Sequence, residues 1–373
     1  DGTMNDLARG SVDGIGQSGT FSIRFHDGRP AQKDTFSSNG ATTHKDALQF
    51  ILKTIDQIYG LSSLVGAGHR IVHGGADFIE PVRLDASNLA ALHALSPLAP
   101  LHQPHNLAAV YSLAELLPDL PQIGCFDTGF HATMPDVARS FPLPKALTAK
   151  GIRRYGFHGI SYHYITETFH QREPDRAKGR VIIAHLGNGA SLCGLKNGKS
   201  VVTTMGFSAL DGLMMGTRTG TIDPAVIFYL IREEKMNPEA IEKMLYAQSG
   251  LLGVSGLSND MRVLRQAAIN NPDAQKALAM FTYRVIREIG SLAAALNGVD
   301  SLIFTAGIGE NDAELRADVI KGLHYLGFQL DDIANQNHNY QISRSSMPAA
   351  FVIATNEESL IARATLSLLS STL

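Results

Sequence analysis

The sequence predicts an α/β chain built on mixed sheets, and three features carry that prediction. The stretch Val181–Thr204, VIIAHLGNGASLCGLKNGKSVVTT, holds three apolar runs (181–184, 190–195 and 200–204), the last two joined by Asn197-Gly198. Asn-Gly between β-type runs marks a hairpin, because its tight turn needs positive φ where these residues are least penalised. Segments of helical period alternate with such runs, notably His44–Tyr59, with apolar residues at 47, 48, 51, 52, 55 and 58, and Pro272–Leu296. Finally, G-x-x-x-x-G-K-[ST] is absent, and the one G-x-G-x-x-G, at 14–19, leads into another strand-like run (Thr20–Phe25) and not into the helix that a dinucleotide site needs. That argues for α/β or α+β domains with mixed sheets, against the purely parallel dinucleotide fold and the Walker-type nucleotide site.

With 373 residues, 44% of them hydrophobic, the chain can bury one or two substantial cores, two being the expectation at this length. A net charge of -3 gives no electrostatic case for nucleic acid or an anionic membrane. No apolar run is long enough to span a bilayer and nothing at the start reads as a signal peptide, so a cytoplasmic protein is expected. Cys125 and Cys193 sit in apolar strand-like runs without metal or redox spacing, which predicts buried free thiols.

In chain order, Asp1-Gly2 reads as a hairpin turn whose first strand is absent, so upstream residues are expected to be missing. Leu7–Ile15 and Thr20–Phe25 are short strands, and Asp27-Gly28 turns the chain into the next run. The helix 44–59 stops at Gly60. Leu64–Gly68 is a brief strand delivering His69-Arg70-Ile71-Val72-His73-Gly74-Gly75. Helices over Ser87–Leu95 and His105–Leu116 end before Pro97 and Pro118, and the strand Ile123–Phe126 runs into Asp127-Thr128. Thr133–Ala149 is proline-rich and weakly patterned, and reads as surface loops. A helix lies near Tyr162–Phe169, followed by a charged break at Gln171–Arg180. Beyond the meander, the glycine-dense Leu210–Thr221 precedes helices Pro224–Glu233 and Pro238–Ala247. Leu252–Leu257 and Ser258–Arg262 lead to the long helix, which returns the chain to a strand at Ser301–Thr305. Asn311 and Glu314 are expected to open the next helix, where unpaired N–H groups favour an anion. A strand at Phe351–Ala354 and a helix at Glu358–Leu369 close the chain.

Several strand ends carry a group suited to chemistry: Gly187-Asn188-Gly189, Gly307-Ile308-Gly309, Asp127 and Glu357. The Gly-Asn-Gly bend is either a plain glycine-rich turn or one whose backbone N–H groups approach phosphoryl oxygens, while Asp or Glu reaches a hydrated Mg²⁺. Asp127 is either such a carboxylate or a helix N-cap. Phosphoryl transfer also needs positive donors on the moving group, and Arg70 and Arg218 are flanked by small residues. His69, His73, His102, His158 and His185 occur in the same stretches, serving either local hydrogen bonds or proton donation near neutral pH. No H-E-x-x-H, cysteine cluster or G-x-S-x-G is present. The residues alone therefore reach an enzyme handling a phosphorylated or nucleotide ligand.

Nine stretches in order, HRIVHGG (69–75), SPLAPLHQPHN (96–106), FDTGFH (126–131), RRYGFHG (153–159), AHLGNGASLC (184–193), DGLMMGTRTGTIDP (211–224), SGLLGVSGLSNDMR (249–262), TAGIGEN (305–311) and TNEE (355–358), resemble the acetate kinase family of short-chain acyl kinases. The resemblance implies two ribonuclease-H-like domains of the sugar kinase/Hsp70/actin type flanking a cleft, usually in a homodimer. One would comprise residues 1–127 plus 355–373, the other 128–354. It implies reversible, Mg²⁺-dependent transfer between ATP and acetate, giving ADP and acetyl phosphate by a direct in-line path. A propionate or butyrate kinase, and a non-catalytic nucleotide-binding module of the Hsp70-like fold, are the alternatives. By resemblance, Arg70 and Arg218 bind the acyl carboxylate and the transferring phosphoryl, His158 stabilises that phosphoryl, and Asp127 is the essential carboxylate. Val72, Leu101, His102, Phe157 and Ala209 would border the acyl site. His185, Leu186, Gly187, Asn188 and Gly189 would hold phosphates, Asp260, Met261 and Arg262 the adenosine, and Gly307, Ile308, Gly309, Glu310 and Asn311 the second nucleotide loop. Glu357 would bind Mg²⁺.

Three departures from the family pattern stand out. The opening strand with N-x-G-S-S-S-x-K is not in this sequence, so the polypeptide as written is expected to fold poorly and turn over little, and the parent protein that carries the strand to be active. His158–Tyr162 reads HGISY where HGTSH is usual, placing Ile160 and Tyr162 beside the proposed catalytic histidine. Ala209 and Asp211 stand where Pro and Glu are common. Loss of the proline ring at 209 enlarges the pocket for the acyl methyl and predicts tolerance of propionate.

Overall fold

The computed structural model describes residues 4–16, 19–36, 42–100, 102–344 and 348–370, so the Asp1-Gly2 turn and Leu101 lie outside the described residues. Two compact units divide the chain: Asp1–Val72, Glu80–Cys125 and Glu358–Leu373 make one, His73–Ile79 and Phe126–Glu357 the other.

The first unit opens with an antiparallel meander, β1 (Ala8–Asp13), β2 (Gly19–Phe25) and β3 (Gln32–Phe36), in which Ala8 faces Phe25 and Gly19 faces Phe36. Phe21 and Ile23 of β2 are both buried, as a period of two requires. Helix α1 (His44–Tyr59) starts at a capping box between Thr43 and Asp46 and stops at Gly60, whose φ of 76° no β-carbon favours. A 3₁₀ turn at Leu61–Ser63 delays the next strand, so β4 spans Ala67–Ile71 rather than the expected 64–68. His69 and Arg70 thus lie within it on opposite faces, Arg70 exposed. After β5 (Val82–Arg83), α2 (Ala86–Ala94) and α3 (Gln103–Leu116), β6 (Gln122–Phe126) completes a sheet of order β4-β6-β5. The C-terminal helix Glu357–Ser370 lies against β4, where a β-carbon on Gly66 or Gly68 would run into Leu369, Thr365 or Ile361.

In the second unit, the stretch expected as loops carries two one-turn helices, α4 (Asp136–Arg139) and α5 (Lys145–Thr148), too short to leave a periodic signature. α6 (Gly159–Arg172) extends beyond the expected 162–169 at both ends. The meander follows as β7 (Arg180–Leu186), β8 (Ala190–Lys196) and β9 (Lys199–Thr203). Then come α7 (Pro224–Arg232), α8 (Pro238–Ala247), α9 (Gly250–Ser255), α10 (Met261–Ala267) and α11 (Pro272–Leu296). Strand β10 (Ser301–Thr305), helices α12 (Ala306–Asn311), α13 (Ala313–Gly322) and α14 (Asp332–Gln336), and strand β11 (Ala349–Val352) finish the unit. Its five strands are ordered β11-β10-β7-β8-β9, with β10 parallel to both neighbours and β7-β8-β9 antiparallel. The long α11 buries Ala274, Ala277, Phe281, Val285, Ile289 and Leu292, one apolar stripe at helical spacing.

That topology positions the chemistry. β7 and β10 run parallel with Thr305 level with His185, so the bends after them leave the same edge of the sheet. One expectation holds only in part: Glu314 stands in the first turn of α13, but Asn311 does not belong to that helix. Asn311 closes α12, and Asp312 caps α13 by accepting from the Leu315 N–H while pairing with Arg265 at 2.7 Å. The anion favoured at that helix start is the chain's own carboxylate. Cys125 and Cys193 are free and buried, as expected, and burial pushes both thiols up to about 12.

Candidate active site

The bend after β7 is fastened to its neighbours by its backbone and by its amide. Gly187 N–H donates to the Gly189 carbonyl and Gly216 N–H to the Asn188 carbonyl, both at 3.0 Å. Asn259 Nδ2 donates to Asn188 Oδ1, also at 3.0 Å. Gly216 has no room for a side chain, since a β-carbon there would overlap Asn188 Oδ1. A cavity of about 740 Å³ opens beside this bend. Of the residues expected at a nucleotide, Gly187, Asn188, Asp260, Met261, Arg262, Gly307, Ile308 and Asn311 line it together.

Gly189 and the remaining four are placed differently. Leu186 is fully buried in the sheet, and Gly309 packs beneath its helix against Ala184 and Leu186. Glu310 Oε1 accepts from the Thr355 N–H at 3.0 Å, tying α12 to the chain that leads into the last helix. His185 stacks on another histidine. The cavity also takes in Asn259, Arg265, Gln336 and His338, which sequence reasoning did not name. Asn259 adjoins Asp260 in the SNDMR stretch, so that motif held a signal; Gln336 and His338 stand in no motif.

On the other face of the bend lies a cluster of charged and polar groups. An ideal β-carbon on Gly189 would sit 3.2 Å from His158 Nε2 and 3.8 Å from Arg218 Nη1. Both cationic or protonatable groups therefore reach the same glycine. His158 is held at φ 60°, a left-handed conformation unusual for a residue with a β-carbon, at the start of α6. It is fixed there because the next residue's N–H, Gly159, donates to the Asp127 carbonyl at 2.9 Å, with no space for a β-carbon at 159. Asp127 is fully buried, and Thr128, not Asp127, stands at the N-cap of the following turn, so the capping reading falls. The His185 ring stacks on His158 at 4.2 Å, and its Nδ1 lies 2.8 Å from Ser161 Oγ. Arg218 Nη1 donates to the carbonyl of Ala209 at 3.0 Å. Phe157 and Ala209 are buried in this unit. Arg70, Val72 and His102 belong to the first unit, where Val72 N–H donates to Asn106 Oδ1 at 2.9 Å and His102 stands just before α3. Glu357 begins the C-terminal helix.

Two further histidines are structural. His131 Nε2 lies 3.0 Å from the Phe157 carbonyl and Nδ1 2.9 Å from Ser200 Oγ, while His73 Nδ1 accepts from the Gly75 N–H at 2.9 Å. Burial pushes both imidazoles down to about 4, helped at His73 by the Arg153 charge and at His131 by the Arg154 charge. Since an unfolded histidine titrates near ~6.5, the unfolded chain takes up these protons first as the pH falls. Their contribution to stability is complete above about 6.5 and drains away towards about 4. Melting temperature is thus expected to drop between about pH 7 and about pH 5, with a shallower drop in His131→Gln. A melting temperature independent of pH in both proteins would contradict the assignment.

The sequence profile described as the Acetokinase family matches residues 2–363. The chain belongs to the acetokinase family, a family of enzymes. The acetate kinase of Rhodopseudomonas palustris (strain ATCC BAA-98 / CGA009) is 47% identical over 366 residues, covering 96% of this chain and 90% of the relative. Among solved structures, a propionate kinase from Francisella tularensis subsp. tularensis SCHU S4 superposes with a TM-score of 0.91 at 37% identity, covering 97% of this chain and 93% of that one. The Porphyromonas gingivalis acetate kinase follows at 0.88 and 35%, with coverages of 97% and 93%. The fold of this acetokinase is accordingly the two-domain α/β type of the sugar kinases, Hsp70 and actin, as the sequence led us to expect. Among the described residues no helix is long and apolar enough to cross a membrane.

Proposed function

We propose that this acetokinase catalyses reversible Mg²⁺-dependent phosphoryl transfer between ATP and acetate. The observation that carries the reading is the meeting of His158 Nε2 and Arg218 Nη1 at Gly189, on the bend that also borders the large cavity. A carboxylate oxygen attacks the γ-phosphorus while the bond to the β–γ bridging oxygen breaks, giving acetyl phosphate and ADP with no covalent enzyme intermediate. Charge on the equatorial oxygens is met by the Arg218 guanidinium and by a proton on His158 Nε2. The 187–189 bend holds the phosphates, and Asp260, Met261 and Arg262 with Gly307, Ile308 and Asn311 hold the rest of the nucleotide. Arg70 is assigned the acyl carboxylate, with Val72, Leu101, His102, Phe157 and Ala209 around the acyl chain.

Mg²⁺ ordinarily takes one or two protein carboxylates, with phosphate oxygens and water completing its shell. Among the described residues no three His, Cys, Asp or Glu side chains stand grouped to hold a metal. Asp127 and Glu357 are the proposed protein ligands. Bound there, the ion would offset charge on the phosphate oxygens. The partner is proposed to be a second copy of the chain, because α7 leaves Val226, Phe228, Tyr229 and Ile231 exposed.

A second reading, propionate as an accepted acid, is favoured by the small Ala209 side chain and by the named activity of the Francisella relative. One extra methylene in an apolar pocket is worth only about 1–3 kcal/mol, so acetate and propionate are expected to differ by less than about a hundredfold in kcat/KM. Hydroxamate formation from ATP, hydroxylamine and each of the C2 to C4 acids tests both readings. Nucleotide binding without hydroxamate from any acid would leave only a nucleotide-binding module. A preference for acetate above about a hundredfold would remove the propionate reading.

A further inference from the structure

Resting on the kinase reading, we propose that Tyr162 and Ser191 are positioning residues that hold His158 as the neutral tautomer protonated on Nε2. Ser191 Oγ lies 2.8 Å from His158 Nδ1 and 2.5 Å from the Tyr162 hydroxyl. Tyr162 and Ser191 are both fully buried. Ser191 has a single hydroxyl proton to give, and the direction of the chain follows from where the tyrosine proton goes. Among the described residues Ser191 Oγ is the sole hydrogen-bond partner of the Tyr162 hydroxyl. A buried O–H without an acceptor is costly, so Tyr162 donates to Ser191. Ser191 must then spend its own proton on His158 Nδ1, and Nδ1 can only accept. The proton of the neutral ring is left on Nε2, the nitrogen beside Gly189.

The reverse order fails on the same count. If Nδ1 carried the proton and donated to Ser191, the serine would donate to Tyr162 and leave the tyrosine O–H with no acceptor. Burial also raises the tyrosine's pKa well above its ordinary value, so the phenol keeps its proton throughout the physiological range. Among the groups facing His158 are the stacked His185, Arg218 across Gly189, and Ser191 itself. His185 has its own serine on Nδ1: Ser161 Oγ lies 2.8 Å from that nitrogen and 2.9 Å from Thr355 Oγ1, so the two stacked rings are fixed separately.

The test separates the tautomer from the activity. In protein carrying ¹⁵N-labelled histidine, long-range ¹⁵N–¹H correlation reads which ring nitrogen bears the proton, and the His158→Gln variant identifies the resonance. The wild-type ring is expected to show the Nε2–H pattern whether or not the acid substrate has been correctly named. Tyr162→Phe retains the ring and removes the donor. It is expected to shift His158 towards a mixture of tautomers and to lower kcat about tenfold, with KM values for ATP and acid within about twofold. An Nδ1–H pattern in the wild type overturns the proposal outright, even if the variant does not fold. So does Tyr162→Phe with an unchanged tautomer and unchanged kcat. Wild-type protein with the Nε2–H ring but no hydroxamate from any acid would instead sink the kinase reading.

Discussion

Arg218→Ala is expected to lower kcat for acyl phosphate formation by about a thousandfold, the cost of removing one preorganised charge from a phosphoryl-transfer site. The side chain is half-buried and anchored by Nη1 to the Ala209 carbonyl at 3.0 Å, which aims the guanidinium across Gly189 towards His158. Its backbone does the structural work: the Arg218 carbonyl accepts from the Met215 N–H at 3.0 Å, and the same segment crowds Gly250. Alanine keeps that backbone, so the melting temperature should hardly move while turnover collapses. Arg218→Lys retains the charge but not the planar fork, and should recover only part of the loss. Steady-state kinetics of the three proteins, with added guanidinium offered to the alanine variant, decide the matter. A fall of less than about tenfold in Arg218→Ala would mean that the guanidinium does not meet the transferred group.

What could be read in advance divides according to how far apart the interacting residues lie in the chain. Helices 44–59 and 272–296 were legible to the residue because their signals are local: a capping box at Thr43 and a glycine at 60, or Asn271 followed by Pro272 at the start of a continuous apolar stripe. Strand 301–305 was equally plain, being an apolar run between a turn and a glycine-rich bend. The start of β4 was not, because a 3₁₀ turn at 61–63 shares its composition with a strand end. At the site, motifs singled out His158, Arg218 and the 187–189 bend, yet nothing local tells that the first two meet at Gly189. Ser191 went unnoticed for the same reason. It lies 29 positions from Tyr162 and reaches it only because β8 folds back beside α6.

Arg316 is the clearest case of a residue no motif announces, and its replacement by methionine is expected to cost the second unit about 3–5 kcal/mol. The side chain is completely buried. Its guanidinium donates to Asn335 Oδ1 and the Asn335 carbonyl at 2.9 and 3.0 Å, and to the carbonyls of Gly309 and Glu310 at 2.9 and 2.7 Å. It also lies 3.0 Å from His338 Nδ1. Among the described residues it makes no ion pair. Burial pushes its pKa down and the charge of Asp312 acts against that shift. The charge is therefore tolerated because carbonyl and amide dipoles surround it, gathering α12, α14 and the His338 loop around one fork. Methionine has similar bulk and leaves several buried acceptors without donors, each worth about 1–3 kcal/mol. For a unit of this size the melting temperature should fall by roughly 6–20 °C. Since Gly307, Ile308, Asn311, Gln336 and His338 border the cavity proposed for the nucleotide, KM for ATP should rise more than KM for the acid. Calorimetry of Arg316→Met with initial-rate kinetics tests both halves. A melting temperature within about 2 °C of wild type would show that the acceptors find water or one another, and that the fork is not what holds α12 in place.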